Sequence, residues 1–377
     1  MSWQRWATDE QRRIHDAGRW RTVRDLDGIG PVTALHEPSG LWPVISFASN
    51  DYLDLARHPA VVAAAQETLA SFGAGAGAAR LLAGARPIHR HLEEALADWK
   101  RCEQAVLFSS GYTANLGVLS ALGGAGVRIV SDEANHASIV DGCRLSRAEV
   151  VVFPHGDLGA VDQALRGAGR AVVVSESVFS MDGDQADVDG LVEVCHRHDA
   201  LLVLDEAHGV LGPELTATPT EVPALTLRVG TLSKALGGSG GFVAGPAQLC
   251  GLVTNRARSF IFTTAGPPAT AAAALAALTV YRSAEGDARR ARLRTNVDRL
   301  AAGHPSAIVP VVLGSEAAAS TASNALLAKG FFVPAVRPPT VAPGASRLRI
   351  SLSSAHTHLQ IDALKEALAD VIAAAAT

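Results

Sequence analysis

The stretch AVVVSESVFSMDGDQADVDGLVEVCHRHDALLVLDEAHG, residues 171–209, decides the fold class. It begins with an apolar run at Ala171–Ser175, continues through a helical pattern at Val188–His198, and ends in a second apolar run at Leu201–Leu204. Both apolar runs are continuous, not alternating, which is typical of parallel strands that are buried on both faces. The stretch therefore predicts a strand–helix–strand unit with a right-handed crossover.

The same alternation extends along the middle of the chain. Further strands are predicted at Arg128–Ser131, Glu149–Phe153 and Leu227–Gly230, and further helices at Ala137–Arg147 and Leu158–Arg166. Repeated units of this kind predict an α/β fold in which helices cover both faces of a mainly parallel, doubly wound sheet.

The last hundred residues have a different pattern. An Arg-rich helix is predicted at Asp287–Ala302, strands near Ile308–Leu313 and Arg347–Leu352, and a helix from Gln360 onward. We therefore predict an N-terminal helix and arm over residues 1–45, a large domain over 46–275 and a smaller C-terminal α+β domain over 276–377. Thr216–Pro223, TATPTEVP, is predicted to be a loop inside the large domain.

Composition argues against several classes of protein. The net charge of −4 is spread over interspersed acidic and basic residues, so no broad basic surface for nucleic acid is expected. The four cysteines are widely spaced, which predicts neither a disulfide framework nor a metal site. The N-terminus lacks the apolar core of a signal peptide, and alanine-rich Pro267–Tyr281 reads as a packed helix. We expect a soluble, cytoplasmic protein that binds no membrane and no metal.

Polar side chains follow four of the predicted strands. In open parallel sheets, ligands bind at the carboxyl ends of the strands. Taken singly, these side chains have ordinary explanations, such as a helix cap for an aspartate or a solvated surface position for a lysine. Together they predict one shared site. The residues are Asp132, His136, Glu176, Ser180, Asp205, His208, Thr231 and Lys234.

The chemistry of this site is indicated by Lys234, which lies within the glycine-rich stretch GTLSKALGGSGG, residues 230–241. A lysine amine forms a Schiff base with an aldehyde cofactor such as pyridoxal 5′-phosphate. Asp205 ends an apolar strand and suits the pyridine nitrogen, while His208 is placed to reach the ring hydroxyl. Ser110–Asn115, SGYTAN, opens an apolar-periodic helix whose N-terminus suits the phosphate.

The chain resembles the α-oxoamine synthases, a family of fold-type I pyridoxal-phosphate enzymes. The resemblance covers nearly the whole chain, and its stretches occur in the order of the family. They are SNDYLDL (49–55), FSSGYTAN (108–115), NHASIVDG (135–142), SVFSMDGD (177–184), LDEAHG (204–209), GTLSKALGGSGG (230–241) and RPPTVAPGASRLRISLSSAHT (337–357).

The resemblance implies roles for the residues that match. Lys234 is implied to hold the cofactor and then serve as base, with Asp205 and a stacking His136 as further catalytic groups. A homodimer with a shared active site is also implied. The implied cofactor-binding residues are Lys234, Asp205, His208, His136, Ser180, Gly111, Tyr112 and Thr231, with Thr263 or Thr264 given by the other subunit. The implied substrate-binding residues are Arg349, which holds the amino-acid carboxylate, Asn50 and Glu176, together with an N-terminal arginine.

The segment RPPTVAPGASRLR, residues 337–349, is most similar to the family members that condense L-alanine with a pimeloyl thioester in biotin biosynthesis. The thioester is carried by CoA or by an acyl carrier protein. The alternative is glycine C-acetyltransferase or another α-oxoamine synthase. An aminotransferase or a non-catalytic cofactor-binding protein is a more distant alternative. The N-terminal arginine near the acyl substrate is assigned to Arg21, although Arg19 and Arg24 compete for the role.

Overall fold

A computed structural model describes residues 2–28, 30–213, 215 and 225–375, so the loop predicted at Thr216–Pro223 lies outside the described residues. The helices are α1 Trp3–Asp16, α2 Pro59–Phe72, α3 Pro87–Lys100, α4 Gly111–Leu122, α5 Ala137–Ser146, α6 Leu158–Leu165, α7 Val188–Arg197, α8 Ala247–Arg256, α9 Arg258–Ile261, α10 Pro268–Tyr281, α11 Ala284–Leu300, α12 Glu316–Ala328 and α13 His358–Ala375.

The strands are β1 Leu26–Asp27, β2 Val32–Glu37, β3 Gly40–Ser46, β4 Gln104–Phe108, β5 Val127–Asp132, β6 Glu149–Phe153, β7 Arg170–Glu176, β8 Leu201–Asp205, β9 Thr226–Thr231, β10 Gly241–Gly245, β11 Ile308–Gly314, β12 Phe331–Phe332, β13 Ala335–Val336 and β14 Ser346–Ser351. Short turns of π- and 3₁₀-helix lie at Arg80–Gly84 and Gly209–Leu211.

The described chain divides into two compact units. The first contains the residues up to Asn50, the turn Met181–Gly183 and the residues from Arg292 onward; the second contains Asp51–Ser180 and Asp184–Ala291. These boundaries differ from the predicted parts 1–45, 46–275 and 276–377. The N-terminal arm joins the C-terminal residues because β12 pairs with β3, and the later boundary falls inside the continuous helix α11, where no sequence break marks it.

The second unit contains a seven-stranded sheet with the strand order β4-β10-β9-β8-β7-β5-β6. The strands from β9 to β6 are parallel, and β10 runs antiparallel to both of its neighbours. Separate apolar clusters cover the two faces: α4, α5 and α8 contribute to one and α6 and α7 to the other. This arrangement confirms the predicted α/β fold with a mainly parallel, doubly wound sheet.

The register of the parallel strands brings their carboxyl ends to one edge. Glu176, at the end of β7, lies opposite Asp205, at the end of β8, and Asp205 lies opposite Val229 of β9. Because β7 and β8 are almost entirely buried, the carboxyl groups of Glu176 and Asp205 at their ends are also buried. Polar side chains therefore lie side by side at a buried edge of the sheet.

The first unit contains two smaller sheets, ordered β1-β2-β3-β12 and β11-β14-β13. The strands β11 and β14 pair in antiparallel fashion, and α12 packs against α13 and β14. In the second unit, α10 packs against α2 and α3. Within the described ranges, no helix is both long and apolar enough to cross a membrane.

Candidate active site

Asp205 is delivered by β8, a strand whose residues from Leu202 onward are buried. Its carboxylate accepts hydrogen bonds from the side-chain amide of Asn115 at 2.7 Å and from the backbone N–H of Ala207 at 2.9 Å. Asn115 is itself buried in α4 and also donates to the Ser138 hydroxyl at 3.0 Å. These donors orient the carboxylate at the sheet edge, where it is available to a cationic partner.

Lys234 lies in the turn that follows β9, and its Nζ atom is 2.7 Å from Nε2 of His208. Steric constraints explain why glycine is needed at two positions near Lys234. Gly237 has a φ of +60°, and a Cβ there would overlap the backbone of Ala56. A Cβ at Gly241 would overlap the backbone of Ser110 and Gly111. The glycine-rich stretch therefore allows backbone to pack on backbone around the lysine.

Glu176 is a second buried carboxyl group, and it interacts electrostatically with Asp205 and Lys234. Its side chain accepts the backbone N–H of His136 at 2.6 Å. Burial, followed by the negative charge of Asp205, raises the pKa of Glu176 to about 8, while Lys234 opposes that shift. Glu176 is therefore mostly protonated at neutral pH, and it can donate a hydrogen bond as well as accept one.

His136 caps the N-terminus of α5, with its Nδ1 atom 2.8 Å from the Ser138 hydroxyl. Burial lowers the pKa of His136, although Asp205 acts in the opposite direction. At neutral pH the imidazole is therefore neutral, which suits a flat ligand that stacks on its ring. The ring of Tyr112 meets it edge-on at a centroid distance of 6.3 Å.

A turn with a capping box forms where α4 begins. Ser110 and Thr113 make a capping box, while the first helical N–H groups, those of Gly111 and Tyr112, lie outside the intrahelical ladder. A Cβ at Gly111 would come to 3.3 Å from Cβ of Thr231, whose hydroxyl is 2.7 Å from that of Ser233. Backbone donors, a helix N-terminus and two hydroxyl groups together suit a phosphate.

Not every predicted site residue lies near Lys234 and Asp205. Thr263 and Thr264 line a separate cavity of about 120 Å³, whose described lining also includes Arg80 and His89 but neither Lys234 nor Asp205. The resemblance assigns these threonines to the other subunit's site, and that assignment stays a prediction. Ser180 is buried, and its backbone N–H contributes to the environment of Glu176.

The predicted substrate-binding residues Arg349 and Asn50 lie in the first unit. The two terminal guanidinium nitrogens of Arg349, on β14, are 3.3 and 3.2 Å from Oδ1 of Asn50, and one of them is 2.7 Å from the Ser351 hydroxyl. Arg349 is only 7 % exposed, so this guanidinium is preorganised for an anionic partner.

The three N-terminal arginines have different surroundings. Arg19 forms a salt bridge with Glu316 at 2.7 Å, whereas Arg21 and Arg24 are exposed in the arm between α1 and β1. The ion pair holds Arg19 in place and leaves Arg21 and Arg24 as the more accessible candidates.

Sequence reasoning missed two residues that the structure brings to the site. Asn115 holds Asp205; it ends the stretch FSSGYTAN (108–115), but the sequence indicated no role of its own for it. Tyr52 is fully buried with its hydroxyl 2.6 Å from Nδ1 of His208. Tyr52 lies in the stretch SNDYLDL (49–55), but nothing in that stretch indicates its partner, which is 156 residues away in the chain.

The donor set fits pyridoxal 5′-phosphate. The amine of Lys234 suits the aldehyde, and the buried carboxylate of Asp205, held by its donors, suits the pyridine nitrogen. The neutral imidazole of His136 suits the face of the ring, and the N-terminus of α4 suits the phosphate. In the part of the chain that the structure describes, no cluster of three or more His, Cys, Asp or Glu residues is arranged to hold a metal ion.

Comparison with known proteins identifies the family of the chain. The sequence model of the family described as aminotransferase class I and II matches residues 43–368. The chain is 47% identical over 368 residues to the 8-amino-7-oxononanoate synthase of Anaeromyxobacter dehalogenans, covering 93% of this chain and 92% of that protein. It is 48% identical over 343 residues to the protein of that name from Methylobacterium sp. (strain 4-46), covering 88% of each.

Solved structures of related enzymes share the fold. Serine palmitoyltransferase from S. paucimobilis, with a bound PLP–myriocin aldimine, superposes with a TM-score of 0.89 at 30% identity, covering 98% of this chain and 97% of that one. An 8-amino-7-oxononanoate synthase from Francisella tularensis gives a TM-score of 0.73 at 27% identity, covering 88% of this chain and 98% of that one. The chain therefore belongs to the aminotransferase class I and II family, and it is a fold-type I enzyme that uses pyridoxal 5′-phosphate.

Proposed function

We propose that this chain condenses L-alanine with a pimeloyl thioester and releases carbon dioxide and the free thiol, giving 8-amino-7-oxononanoate for biotin biosynthesis. The identity of 47% with an 8-amino-7-oxononanoate synthase over 93% of the chain carries this choice of substrates. The contact between the amine of Lys234 and His208, in the neighbourhood of the buried Asp205, supports the chemistry. The reaction is assigned to the cytoplasm.

When bound, pyridoxal 5′-phosphate supplies an electron sink that stabilises negative charge at the α-carbon of the amino acid. Asp205 holds a proton on the pyridine nitrogen, because a buried carboxylate favours a cationic partner. His208 donates from Nε2 to the ring hydroxyl. Lys234 would hold the aldehyde group of the cofactor, and its Nζ atom would take the α-proton of alanine.

The phosphate is assigned to the turn at the start of α4. The backbone N–H groups of Gly111 and Tyr112 and the hydroxyl of Thr231 donate to its oxygens, where the helix dipole favours negative charge. Thr263 and Thr264 complete the phosphate contacts of the second subunit in a homodimer. Ser180 is assigned, with His208, to the region of the ring hydroxyl.

The carboxylate of alanine is assigned to Arg349, whose planar guanidinium can hold both of its oxygens. Asn50 orients that guanidinium through its side-chain oxygen. Glu176 approaches the substrates in its protonated form, so that it donates a hydrogen bond and does not repel the carboxylate. Arg21 is assigned to the acyl thioester.

The experiment that tests this function is an assay of thiol release by the purified protein loaded with pyridoxal 5′-phosphate. Alanine, glycine and serine are each combined with pimeloyl-, acetyl- and succinyl-CoA. We expect release with alanine and pimeloyl-CoA only. Release with glycine and acetyl-CoA alone would contradict the proposal and assign the protein to the glycine-using branch.

The donor is tested in the same assay by replacing CoA with a pimeloyl-loaded acyl carrier protein. Equal alanine-dependent release from both donors indicates that the acyl chain alone is recognised. Release from only one donor identifies the carrier that the enzyme uses.

A further inference from the structure

Tyr52 is a fully buried phenol to which the roles above give no task. Its hydroxyl lies 2.6 Å from Nδ1 of His208, and Nε2 of the same imidazole lies 2.7 Å from Nζ of Lys234. The three side chains therefore form one continuous chain of hydrogen bonds that ends at the amine. His208, only 5 % exposed, is its central member.

The backbone around Tyr52 is held in place independently. The Asp51 carboxylate accepts the N–H groups of Leu55 and Ala56 at 2.9 and 3.1 Å, which closes a tight turn directly after the tyrosine. Gly237, three residues after Lys234, packs so closely on Ala56 that a Cβ would overlap its backbone. The turn that carries the lysine and the turn that carries the phenol are therefore in direct contact.

The protons on His208 must suit both of its neighbours. A neutral imidazole donates from one ring nitrogen and accepts at the other. In the proposed function His208 donates from Nε2 towards the ring hydroxyl of the cofactor or towards Nζ of Lys234 when that amine is uncharged and can accept. Its Nδ1 atom must then accept a hydrogen bond, and the Tyr52 hydroxyl, 2.6 Å away, is a donor in the right position.

We propose that Tyr52 is a positioning residue that fixes His208 in the tautomer protonated on Nε2 and so presents an N–H to the site. A buried phenol needs a hydrogen-bond partner, and donation to Nδ1 satisfies this need as well as that of the imidazole. The inference rests on the proposed function only for the roles of His208 and Lys234.

The first test is Tyr52→Phe in the full-length enzyme loaded with pyridoxal 5′-phosphate, a change that keeps the ring and removes the hydroxyl. We expect kcat to fall about tenfold, as when the partner that orients a functional histidine is removed. We expect the KM values for alanine and the acyl donor to stay within about twofold, because the substrates do not contact Tyr52 in the proposed arrangement.

The pH profile provides a readout that a purely structural role would not move. Tyr52→Phe removes the hydroxyl that contacts Nδ1 of His208, whose Nε2 atom lies 2.7 Å from Nζ of Lys234, so we expect the apparent pKa values in the pH profile of kcat to shift. The other titratable groups around the lysine, Asp205, Glu176 and His136, are unchanged in the variant. Tyr281→Phe is the matched control, since Tyr281 is also buried but packs against Trp99. It should leave both kcat and the profile unchanged.

The second measurement reads the tautomer directly, from ¹⁵N NMR of the histidine side chains, with His208 assigned by the loss of its signals in His208→Gln. In the wild-type enzyme loaded with cofactor we expect protonated Nε2 and unprotonated Nδ1. In Tyr52→Phe we expect a mixture of tautomers.

Protonated Nδ1 in the wild type would overturn the proposal. So would a Tyr52→Phe enzyme whose tautomer, kcat and pH profile all match those of the wild type. If Tyr52→Phe does not fold, the wild-type spectrum alone decides. Because the tautomer is read without turnover, an inactive protein with protonated Nε2 would refute the proposed function and leave this inference standing.

Discussion

Lys234 is one of four lysines in the chain, and its Nζ atom lies against His208. Replacing it by alanine should displace the absorbance band that the bound cofactor has when it is joined to the lysine, and lower turnover by about 10²–10⁴-fold, the range for removing a positioned acid–base group. Lys365→Ala is the control, because Lys365 is exposed and its Nζ atom donates to the carbonyl of Arg299. An active Lys234→Ala enzyme with an unchanged absorbance band would refute the assigned role.

Glu176 should affect stability in a pH-dependent way. Its pKa of about 8 in the folded protein lies above its ordinary value of 4.5, so the folded state binds a proton that the unfolded state has lost. The free energy of unfolding should therefore fall as pH rises from about 4.5 to 8, by up to a few kcal/mol from this group. In Glu176→Gln this component of the pH dependence should be absent.

Urea unfolding of the wild type and of Glu176→Gln at pH 5 and pH 8 measures this difference. Glu193→Gln, at an exposed position on α7, is the control and should follow the wild type. Parallel curves for the wild type and Glu176→Gln would mean that Glu176 is ionised in the folded protein at neutral pH.

At the scale of elements, a buried ion cluster joins the end of β8 to α3 and β9. Glu206, directly after Asp205, accepts from the Arg228 guanidinium at 2.6 Å and lies 2.9 Å from Nζ of Lys100. Arg228 also donates to the backbone carbonyl of Lys100 at 2.9 Å. All three side chains are at most 5 % exposed, so the cluster fixes the strand end that carries Asp205.

Glu206→Gln should destabilise the protein by about 3–5 kcal/mol, because it leaves two buried cations without a counter-charge. Chemical denaturation measures the loss. Asp370→Asn, which breaks the exposed pair with Lys329, should cost no more than about 1 kcal/mol. Equal losses in the two variants would contradict the assignment of the Glu206 cluster as a buried structural unit.

At the scale of the whole molecule, the proposed shared site is tested by complementation. Thr263 and Thr264 line a cavity that does not include Lys234, and we propose that they serve the partner's phosphate. A mixed dimer of Lys234→Ala with a Thr263→Ala/Thr264→Ala chain would contain one site with both defects and one with neither. Mixing the two variants should therefore restore activity that each lacks alone.

The control is a mixture of Lys234→Ala with Asp205→Ala, whose defects fall in the same chain's cluster. Each site of that mixed dimer carries one defect, so no activity should return. Mass spectrometry verifies that the subunits have exchanged. If activity then does not return in the mixture of Lys234→Ala with Thr263→Ala/Thr264→Ala, the threonines do not act across the dimer.

The elements themselves could be predicted from local patterns. The predicted strand at Leu201–Leu204 is β8, and the predicted helix at Val188–His198 is α7, ending one residue earlier. Such segments are recognisable because burial on both faces requires a continuous apolar run and a covering helix requires a 3.6-residue period. The antiparallel strand β10, GFVAG at Gly241–Gly245, has no comparable signal, since it is short and begins and ends with glycine.

The sequence by itself determined the fold class, the cofactor and the residues at the strand ends, because each depends on residue types at short spacing along the chain. Only the tertiary structure decided which side chains meet. Tyr52 reaches His208 across 156 residues, and Asn115 reaches Asp205 across 90. It also decided that the N-terminal arm belongs with the C-terminal residues, through β3 and β12. Contacts between distant segments depend on strand order and register, which local propensity does not encode.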